Sequence, residues 1–242
     1  MKKLFTFTLL LCMVSISYAQ WGKKIKGNGK VVTLERTTGD YDAVAVSGWF
    51  DVQLVEGSEG TISLKGEENL LEYIITEVKN GKLVVKPEKG VNLQPSSWRS
   101  GGISVTIPVE EINALSMSGS GDLVGNVVLK GGDFKTSMSG SGDMSIDLDV
   151  QDLQVTVSGS GDMELNGSAD NLEVQISGSG DVHAYGLSAD NVSAIVSGSA
   201  DIEVTANESL KARVSGSGDI SYRGNPAKID SKASGSGDIS KG

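Results

Sequence analysis

The chain has 242 residues, enough for one large domain or two modest ones, and a formal net charge of −10. Phosphate neutralisation needs clustered lysine and arginine, so this acidic composition excludes nucleic acid and anionic membranes as expected partners. The one cysteine, Cys12, lies near the N-terminus, which leaves the rest of the chain without disulfides or thiolate metal sites.

The first nineteen residues have the pattern of an export signal. Two lysines precede an apolar run at residues 4–16, and Ser17-Tyr18-Ala19 supplies the small residues expected before cleavage at Gln20. The run is too short to span a membrane, and no later stretch is as apolar, so no membrane span is expected. We predict a signal peptide at residues 1–19 and a mature chain that is exported to the periplasm, the cell surface or the medium.

Residues 20–115 are predicted to form an irregular, capped first part of a β-helix. Alternating apolar residues surround Ser47-Gly48-Trp49-Phe50-Asp51, a degenerate copy of a motif that recurs later in the chain. Trp49 and Phe50 would make a bulky apolar corner, as suits a terminal coil that has no neighbour to cover its core. The other elements predicted here are strands at Thr61–Leu64, Leu83–Lys86 and Ile103–Ile107, a short capping helix within Asn69–Val78, and an exposed loop at Gly90–Gly102.

Residues 116–242 carry seven copies of one pentapeptide. Ser-Gly-Ser-Gly-Asp begins at residues 118, 139, 158, 177, 215 and 234, and Ser197 opens the variant Ser-Gly-Ser-Ala-Asp. Successive starts are 21, 19, 19, 20, 18 and 19 residues apart. A period near 19 residues indicates a solenoid in which each copy belongs to one coil.

Apolar and polar residues alternate on both sides of each pentapeptide, as in Leu153-x-Val155-x-Val157 before one copy and Met163-x-Leu165 after it. This period of two predicts strands with one buried face. Each coil should therefore contain a strand, the SGSGD corner, a second strand and a second turn-rich corner. An antiparallel sandwich is the alternative, but it would not need a constant period. The predicted fold is all-β, a parallel and right-handed β-helix, with residues 20–242 as one continuous domain.

The corner aspartates are predicted to stack along the solenoid. Neighbouring charges about 4.8 Å apart repel by about 0.9 kcal/mol even in water, so amide donors, solvent or cations must offset them. We expect structural aspartates that accept hydrogen bonds from turn amides. A Ca²⁺ ladder is the alternative, since calcium-binding β-rolls also place Gly and Asp at coil corners, although their nonapeptide spacing is absent. The aspartates concerned are Asp122, Asp143, Asp162, Asp181, Asp201, Asp219 and Asp238.

Tryptophan residues are the candidate ligand contacts, because an exposed indole is a natural platform for a sugar or a protein partner. Trp98 and Arg99 lie in the predicted loop, and Trp49 is a further candidate, although a role as a core cap explains it more simply. His183, the only histidine, is expected to face solvent. No catalytic residues and no cofactor other than the alternative Ca²⁺ are predicted, because no carboxylate pair stands out from the repeats.

The chain stops shortly after the last pentapeptide, at Ile239-Ser240-Lys241-Gly242, with no predicted cap. An uncapped coil exposes strand edges that proteins usually protect or pair. We therefore expect a homo-oligomer that forms through this last coil.

Several segments together resemble a known family. They are Tyr41-Asp42-Ala43-Val44-Ala45-Val46-Ser47-Gly48, Asp51-Val52-Gln53-Leu54, Glu67-Glu68-Asn69-Leu70-Leu71, Ile103 to Pro108 and the SGSGD array. With the signal peptide, they resemble the head GIN domain family of autotransporter adhesins, exported mainly by Bacteroidetes. The resemblance covers nearly all the mature chain and implies a parallel β-helix. Membrane-barrel strands do not follow the repeats, so autotransport by this chain itself is not expected.

The hypothesis from sequence is a non-enzymatic exported protein, an adhesin or a cell-envelope interaction or scaffold protein. Its expected partner is a surface glycan or an envelope protein. A carbohydrate-active β-helical enzyme and a Ca²⁺-stabilised repeat protein are the alternatives.

Overall fold

The computed structural model describes residues 22–97 and 102–242. Coils of about 19 residues stack in parallel into a β-solenoid of about seven turns. The predicted all-β, parallel β-helical fold is therefore confirmed. The predicted signal peptide, Trp98 and Arg99 lie outside the described residues.

The elements follow one another along the chain with few interruptions. They are β1 (Lys23–Lys26), β2 (Val31–Thr37), β3 (Ala43–Gly48), β4 (Asp51–Glu56), β5 (Thr61–Glu67), α1 (Glu68–Leu71), β6 (Ile74–Lys79), β7 (Lys82–Pro87), β8 (Val91–Gln94), β9 (Ser104–Val109), β10 (Ala114–Gly119), β11 (Leu123–Gly140), β12 (Met144–Gly159), β13 (Met163–Gly178), β14 (Val182–Gly198), β15 (Ile202–Gly216), β16 (Ile220–Arg223), β17 (Lys228–Gly235) and β18 (Ile239–Lys241).

Each regular coil is one long strand that bends, rather than two strands separated by a turn. In β12 the alternation of buried and exposed residues breaks at Gln151 and Asp152, which are both exposed. The ladder between β12 and β13 nevertheless runs from Met144↔Met163 to Gly159↔Gly178. In these coils the second predicted corner is therefore a bend inside a strand, because most of its residues stay paired with the neighbouring coils. At residues 224–227 the same corner separates β16 from β17.

The core lies between the two arms of the bent strands. In-facing residues stack in rows that run along the solenoid, such as Val155, Val174, Ala194 and Ala212, all fully buried. Full burial of one such valine or leucine contributes about 1.5–3 kcal/mol. The stacking of these rows explains the alternating apolar pattern on both sides of each pentapeptide.

The N-terminal end of the solenoid is closed by antiparallel strands and a short helix. Strands β6 and β7 form a hairpin around Asn80-Gly81, both at positive φ, and β2 pairs antiparallel with β5. Helix α1 buries Leu70 and Leu71 completely over this end. A capping helix was predicted within Asn69–Val78, but it ends at Leu71.

The chain leaves the helix early because other partners take up the backbone after Leu71. The Arg36 guanidinium donates hydrogen bonds to the carbonyl oxygens of Leu71 and Ile74. From Ile74 onward the backbone pairs with β7, so the helical spacing of Ile74 and Ile75 occurs in a strand.

The three strands predicted in this half correspond to β5, β7 and β9. The loop predicted at Gly90–Gly102 is wrong at its start, because β8 pairs in parallel with β1 and Leu93 is buried. The sequence signal was weak because this strand has four residues and a partner sixty-eight positions earlier. No helix of the described residues is long and apolar enough to cross a membrane.

The first glycine of each pentapeptide is required by the close approach of neighbouring coils. Gly159 has φ 144°, and a Cβ there would lie 2.1 Å from the Gly140 carbonyl oxygen. The second glycines and Ala200 are not at positive φ, but a Cβ at the second glycines would also lie 1.8–2.1 Å from a carbonyl oxygen of the preceding coil. Ala200 occupies this second position in one coil, where it is fully buried.

We expect Gly159→Ala to lower the free energy of unfolding by more than about 2 kcal/mol. The alanine would have to adopt a positive φ, and its Cβ would clash with the backbone of Gly140. Gly131→Ala is the matched control, since φ at Gly131 is not positive and a Cβ there would meet nothing within 4 Å. It should change stability by less than about 0.5 kcal/mol. Thermal denaturation of both variants checks this, and equal effects would contradict it.

Candidate functional site

The corner aspartates form a continuous hydrogen-bond ladder. The Asp162 backbone amide donates to Asp143 Oδ1 at 3.0 Å, and the Asp181 amide donates to Asp162 Oδ1 at 2.9 Å. The same bond recurs from coil to coil, with lengths of 2.7–3.3 Å. The series begins at Asp51 in the degenerate copy and ends at the amide of Asp238.

This ladder supports the interpretation of the aspartates as structural groups. Each bonded carboxylate has an amide donor beside one oxygen, and most of these side chains are exposed to water, so both donors and solvent offset the repulsion along the row. Among the described residues, no group of three or more His, Cys, Asp or Glu side chains is arranged to hold a metal ion.

Removing one carboxylate from the ladder should cost about 1 kcal/mol, a typical value for one hydrogen bond. We expect this loss of stability for Asp162→Ala. Asp162→Asn keeps an acceptor oxygen, so its free energy of unfolding should fall by only a few tenths of that amount. Asp170→Ala is the control, because Asp170 is exposed and lies outside the ladder.

Chemical denaturation of the three variants measures these differences. The melting temperature of the wild type should be the same in millimolar Ca²⁺ as in the presence of a chelator. A marked rise with Ca²⁺ that Asp162→Asn abolishes would contradict the amide interpretation and favour the Ca²⁺ ladder.

A second polar ladder follows the bend of the coils. Asn171 Nδ2 donates to Asp152 Oδ1 at 2.7 Å, Asn191 Nδ2 donates to Asn171 Oδ1 at 3.1 Å, and Ser209 Oγ donates to Asn191 Oδ1 at 2.7 Å. A shallow groove of about 580 Å³ runs beside this row. Since the polar side chains bond to one another, we assign the row to the stability of the bend.

His183 lies on the outer surface, in contact with one carboxylate. Its Nδ1 is 3.0 Å from Glu203 Oε2, and 49% of its side chain is exposed. The hydrogen bond to Glu203 and the nearby Asp181 and Asp162 raise the pKa of His183 above its ordinary value. An exposed pair of this kind contributes little to stability.

Other shifted carboxylates have separate local causes. The pKa of Glu77 is lowered by a hydrogen bond from Lys79, and the pKa of Asp230 is lowered by a hydrogen bond from Arg213. These residues lie in β6 and β17, at opposite ends of the solenoid. They do not form the acid and base pair that glycoside hydrolysis uses.

Glu67 is a fully buried carboxylate that ties the N-terminal segments together. Its oxygens accept hydrogen bonds from the Gly29 and Ser96 amides, the latter at 2.7 Å. Burial by itself would raise the pKa of Glu67, but these donors outweigh it and hold the pKa below its ordinary value. Beyond its place in the family resemblance, Glu67 has no signal in the sequence, because its donors are remote along the chain.

Glu67 should stabilise the fold at neutral pH and lose this effect as the pH falls below about 4.5, the ordinary value, through its lower folded pKa. We expect Glu67→Gln to melt several degrees below the wild type at pH 7, with the gap narrowing at acidic pH. Glu88→Gln changes an exposed carboxylate and is the control. Melting curves across pH check this, and a gap that does not depend on pH would contradict it.

A cleft of about 670 Å³ opens beside the first corner of the solenoid. Trp49 lines it and also packs partly against the core. The side chain that fills the core at this corner is that of Phe50, which is only 2% exposed. The other described residues of the lining are Gly22, Lys24, Pro87, Gly90, Val91, Asn92 and Leu93.

The corner register explains why Trp49 lies on the outside. Gly48 pairs with Gly119, so Trp49 takes the place of the exposed Ser120 and Phe50 takes the place of the buried Gly121. Strands β1 and β8 form a separate small sheet that supplies half of the lining, and Pro87 of β7 and two flanking glycines complete it. Trp49 is thus a candidate contact, while the predicted contacts Trp98 and Arg99 lie outside the described residues.

The stacked coils, the corner ladder and the closed N-terminal end define a capped parallel β-solenoid protein. The sequence matches the family described as "Putative auto-transporter adhesin, head GIN domain" over residues 40–226. The chain belongs to this family, as its segments suggested. No curated protein matches it.

Solved structures share the fold over most of their length. A putative lipid binding protein from Parabacteroides distasonis is 27% identical, with a TM-score of 0.68, 91% of this chain covered and 100% of that one. A putative adhesin from Bacteroides fragilis is 25% identical, with a TM-score of 0.80 and coverage of 90% and 99%. Another putative adhesin from Parabacteroides distasonis is 26% identical, with a TM-score of 0.70 and coverage of 91% and 100%.

Proposed function

We propose that this chain is a non-enzymatic adhesin-like protein of the cell envelope, exported through its N-terminal signal, which binds a surface glycan in the cleft at Trp49. The observation that carries this proposal is the cleft itself. It lies where the regular corner sequence is replaced by an aromatic pair. The family and two solved structures of proteins named as adhesins support an adhesin-like role.

The chemistry of the cleft favours a sugar ligand. The indole of Trp49 offers an apolar surface for the C–H face of a pyranose ring, and Asn92 offers amide hydrogen bonds to hydroxyl groups. Pro87, Val91 and Leu93 supply apolar walls. A lipid chain is the competing ligand, since one structural neighbour is named as a putative lipid binding protein.

Binding is favoured over hydrolysis by the composition of the lining. The described residues that line the cleft include no aspartate and no glutamate. Glycoside hydrolysis normally needs two carboxyl groups that flank the scissile bond. We therefore place a carbohydrate-active enzyme second, and a glycan that is cleaved on incubation with the protein would reverse that order.

Trp49→Ala should weaken glycan binding by about 10-fold or more, the loss typical of a central aromatic contact. Tyr185→Ala is the matched control, because Tyr185 is a partly exposed aromatic residue on β14, outside the cleft lining. A glycan array identifies the ligand, and titration of wild type and both variants measures the loss.

Equal affinities for wild type and Trp49→Ala, at equal melting temperatures, would overturn the proposed site. Binding of phospholipid vesicles without any glycan binding would overturn the sugar assignment.

A further inference from the structure

The last coil of the described residues presents an unpaired strand edge. Strand β17 hydrogen-bonds to β15 on one side, and among the described residues it has no partner on the other. All eight residues of β17 are exposed, including Ile229 at 50%. Such an edge is a ready template for another strand.

The backbone groups of β17 divide between its two edges. In a parallel ladder, alternate residues direct both their N–H and C=O groups to the same neighbour. The Ser236 amide, just after β17, donates to Gly216 O of β15 at 2.9 Å. By this alternation Asp230 and Lys232 bond to β15, whereas Ile229, Ser231 and Ala233 direct their backbone groups to the free edge.

We propose that this edge pairs with a second copy of the chain, β17 against β17, antiparallel and centred on Ser231. In this register the outward-bonding residues meet each other. Ser231 faces Ser231 of the second copy, and Ile229 faces Ala233 of the second copy. Six backbone hydrogen bonds can form along these three hydrogen-bonded pairs.

Charge complementarity favours this register. Asp230 lies opposite Lys232 of the second copy, and the two-fold axis repeats the contact. Both are non-hydrogen-bonded positions, where facing side chains lie closest, with Cα atoms about 4.5 Å apart. The Asp230 carboxylate also bonds to Arg213 of its own chain, and 69% of its side chain is still exposed to a further cation.

The same register brings apolar side chains together. Ile229, Ser231 and Ala233 follow the in-facing row of Leu210, Ala212 and Val214 in β15. Pairing with Ala233 of the second copy would cover Ile229 and continue the core across the interface. Lysines on an edge strand can also serve to block pairing, so Lys228 and Lys232 need an experimental test.

Charge reversal at two lysines distinguishes this register from others. Lys232→Glu would place glutamate opposite Asp230 of the second copy and should raise the dimer dissociation constant about 10-fold or more. Lys228→Glu is the matched control, with the same change in net charge, because Lys228 lies opposite Ser234 of the second copy. It should change the constant less than about threefold.

Light scattering and sedimentation of the purified protein give these constants, and melting curves confirm that the variants are folded. A wild type that stays monomeric at the highest soluble concentration would overturn the proposal. So would loss of the dimer in Lys228→Glu, or equal behaviour of the two variants.

A cysteine substitution tests the two-fold axis directly. In Ser231→Cys the two Cα atoms would lie about 5.5 Å apart, a distance that suits a disulfide, so mild oxidation should give a covalent dimer. In Ser234→Cys they would be about 20 Å apart and should not cross-link. Removal of the predicted signal peptide with Cys12 leaves no other cysteine. Equal cross-linking of both variants would count against this register.

Discussion

Successive backbones come very close together at the SGSGD corners, and this contact fixes how the coils stack. The first glycine of each corner adopts positive φ, and a Cβ there would lie 1.8–2.3 Å from the carbonyl oxygen of the preceding coil. The aspartate that ends the corner binds the amide of the next aspartate. Together these residues hold the coils in register, so that the apolar rows of both arms can stack.

Variation in coil length is absorbed away from these corners. Register shifts occur on the arm that follows the corner, between Val124 and Val128, between Glu164 and Asn166 and between Ala184 and Ser188. One more occurs at the second bend, between Ala189 and Asn191. A bulge there re-aims side chains at small cost, because the sheet can bend around one extra residue. At the corner itself an insertion would break the aspartate ladder and the glycine contacts together.

A uniform ladder leaves little room for specific recognition within the repeats. Their polar side chains bond to equivalent side chains one coil away, as Asn171 does with Asp152. The features that differ from coil to coil lie at the two ends, where the cleft at Trp49 and the free edge of β17 are found. Family membership agrees with this division, since it identifies a shared solenoid and an adhesin-like role without naming a ligand.

The amino-acid sequence correctly predicted the period, the strand-forming arms, the corner positions and the family. Each of these depends on residues close together in the chain or on an exact repeat. The turn-rich residues of the second bend predicted a break between two strands. The regular coils nevertheless stay one strand there, because these residues keep hydrogen bonds to other coils. The sequence placed the capping helix correctly at Leu70 and Leu71 but extended it past Leu71, where Arg36 and β7 take over the backbone.

The position of the cleft and the hydrogen bonds of Glu67 could not be predicted and are seen only in the folded chain. The lining of the cleft joins β1, the first corner and β8, and Glu67 joins Gly29 to Ser96. These contacts span tens of residues without any repeat to reveal them. The local pattern of apolar residues predicts which face of a strand is buried. It does not predict which segment contacts that strand, because the contact depends on packing between segments that are distant in the chain.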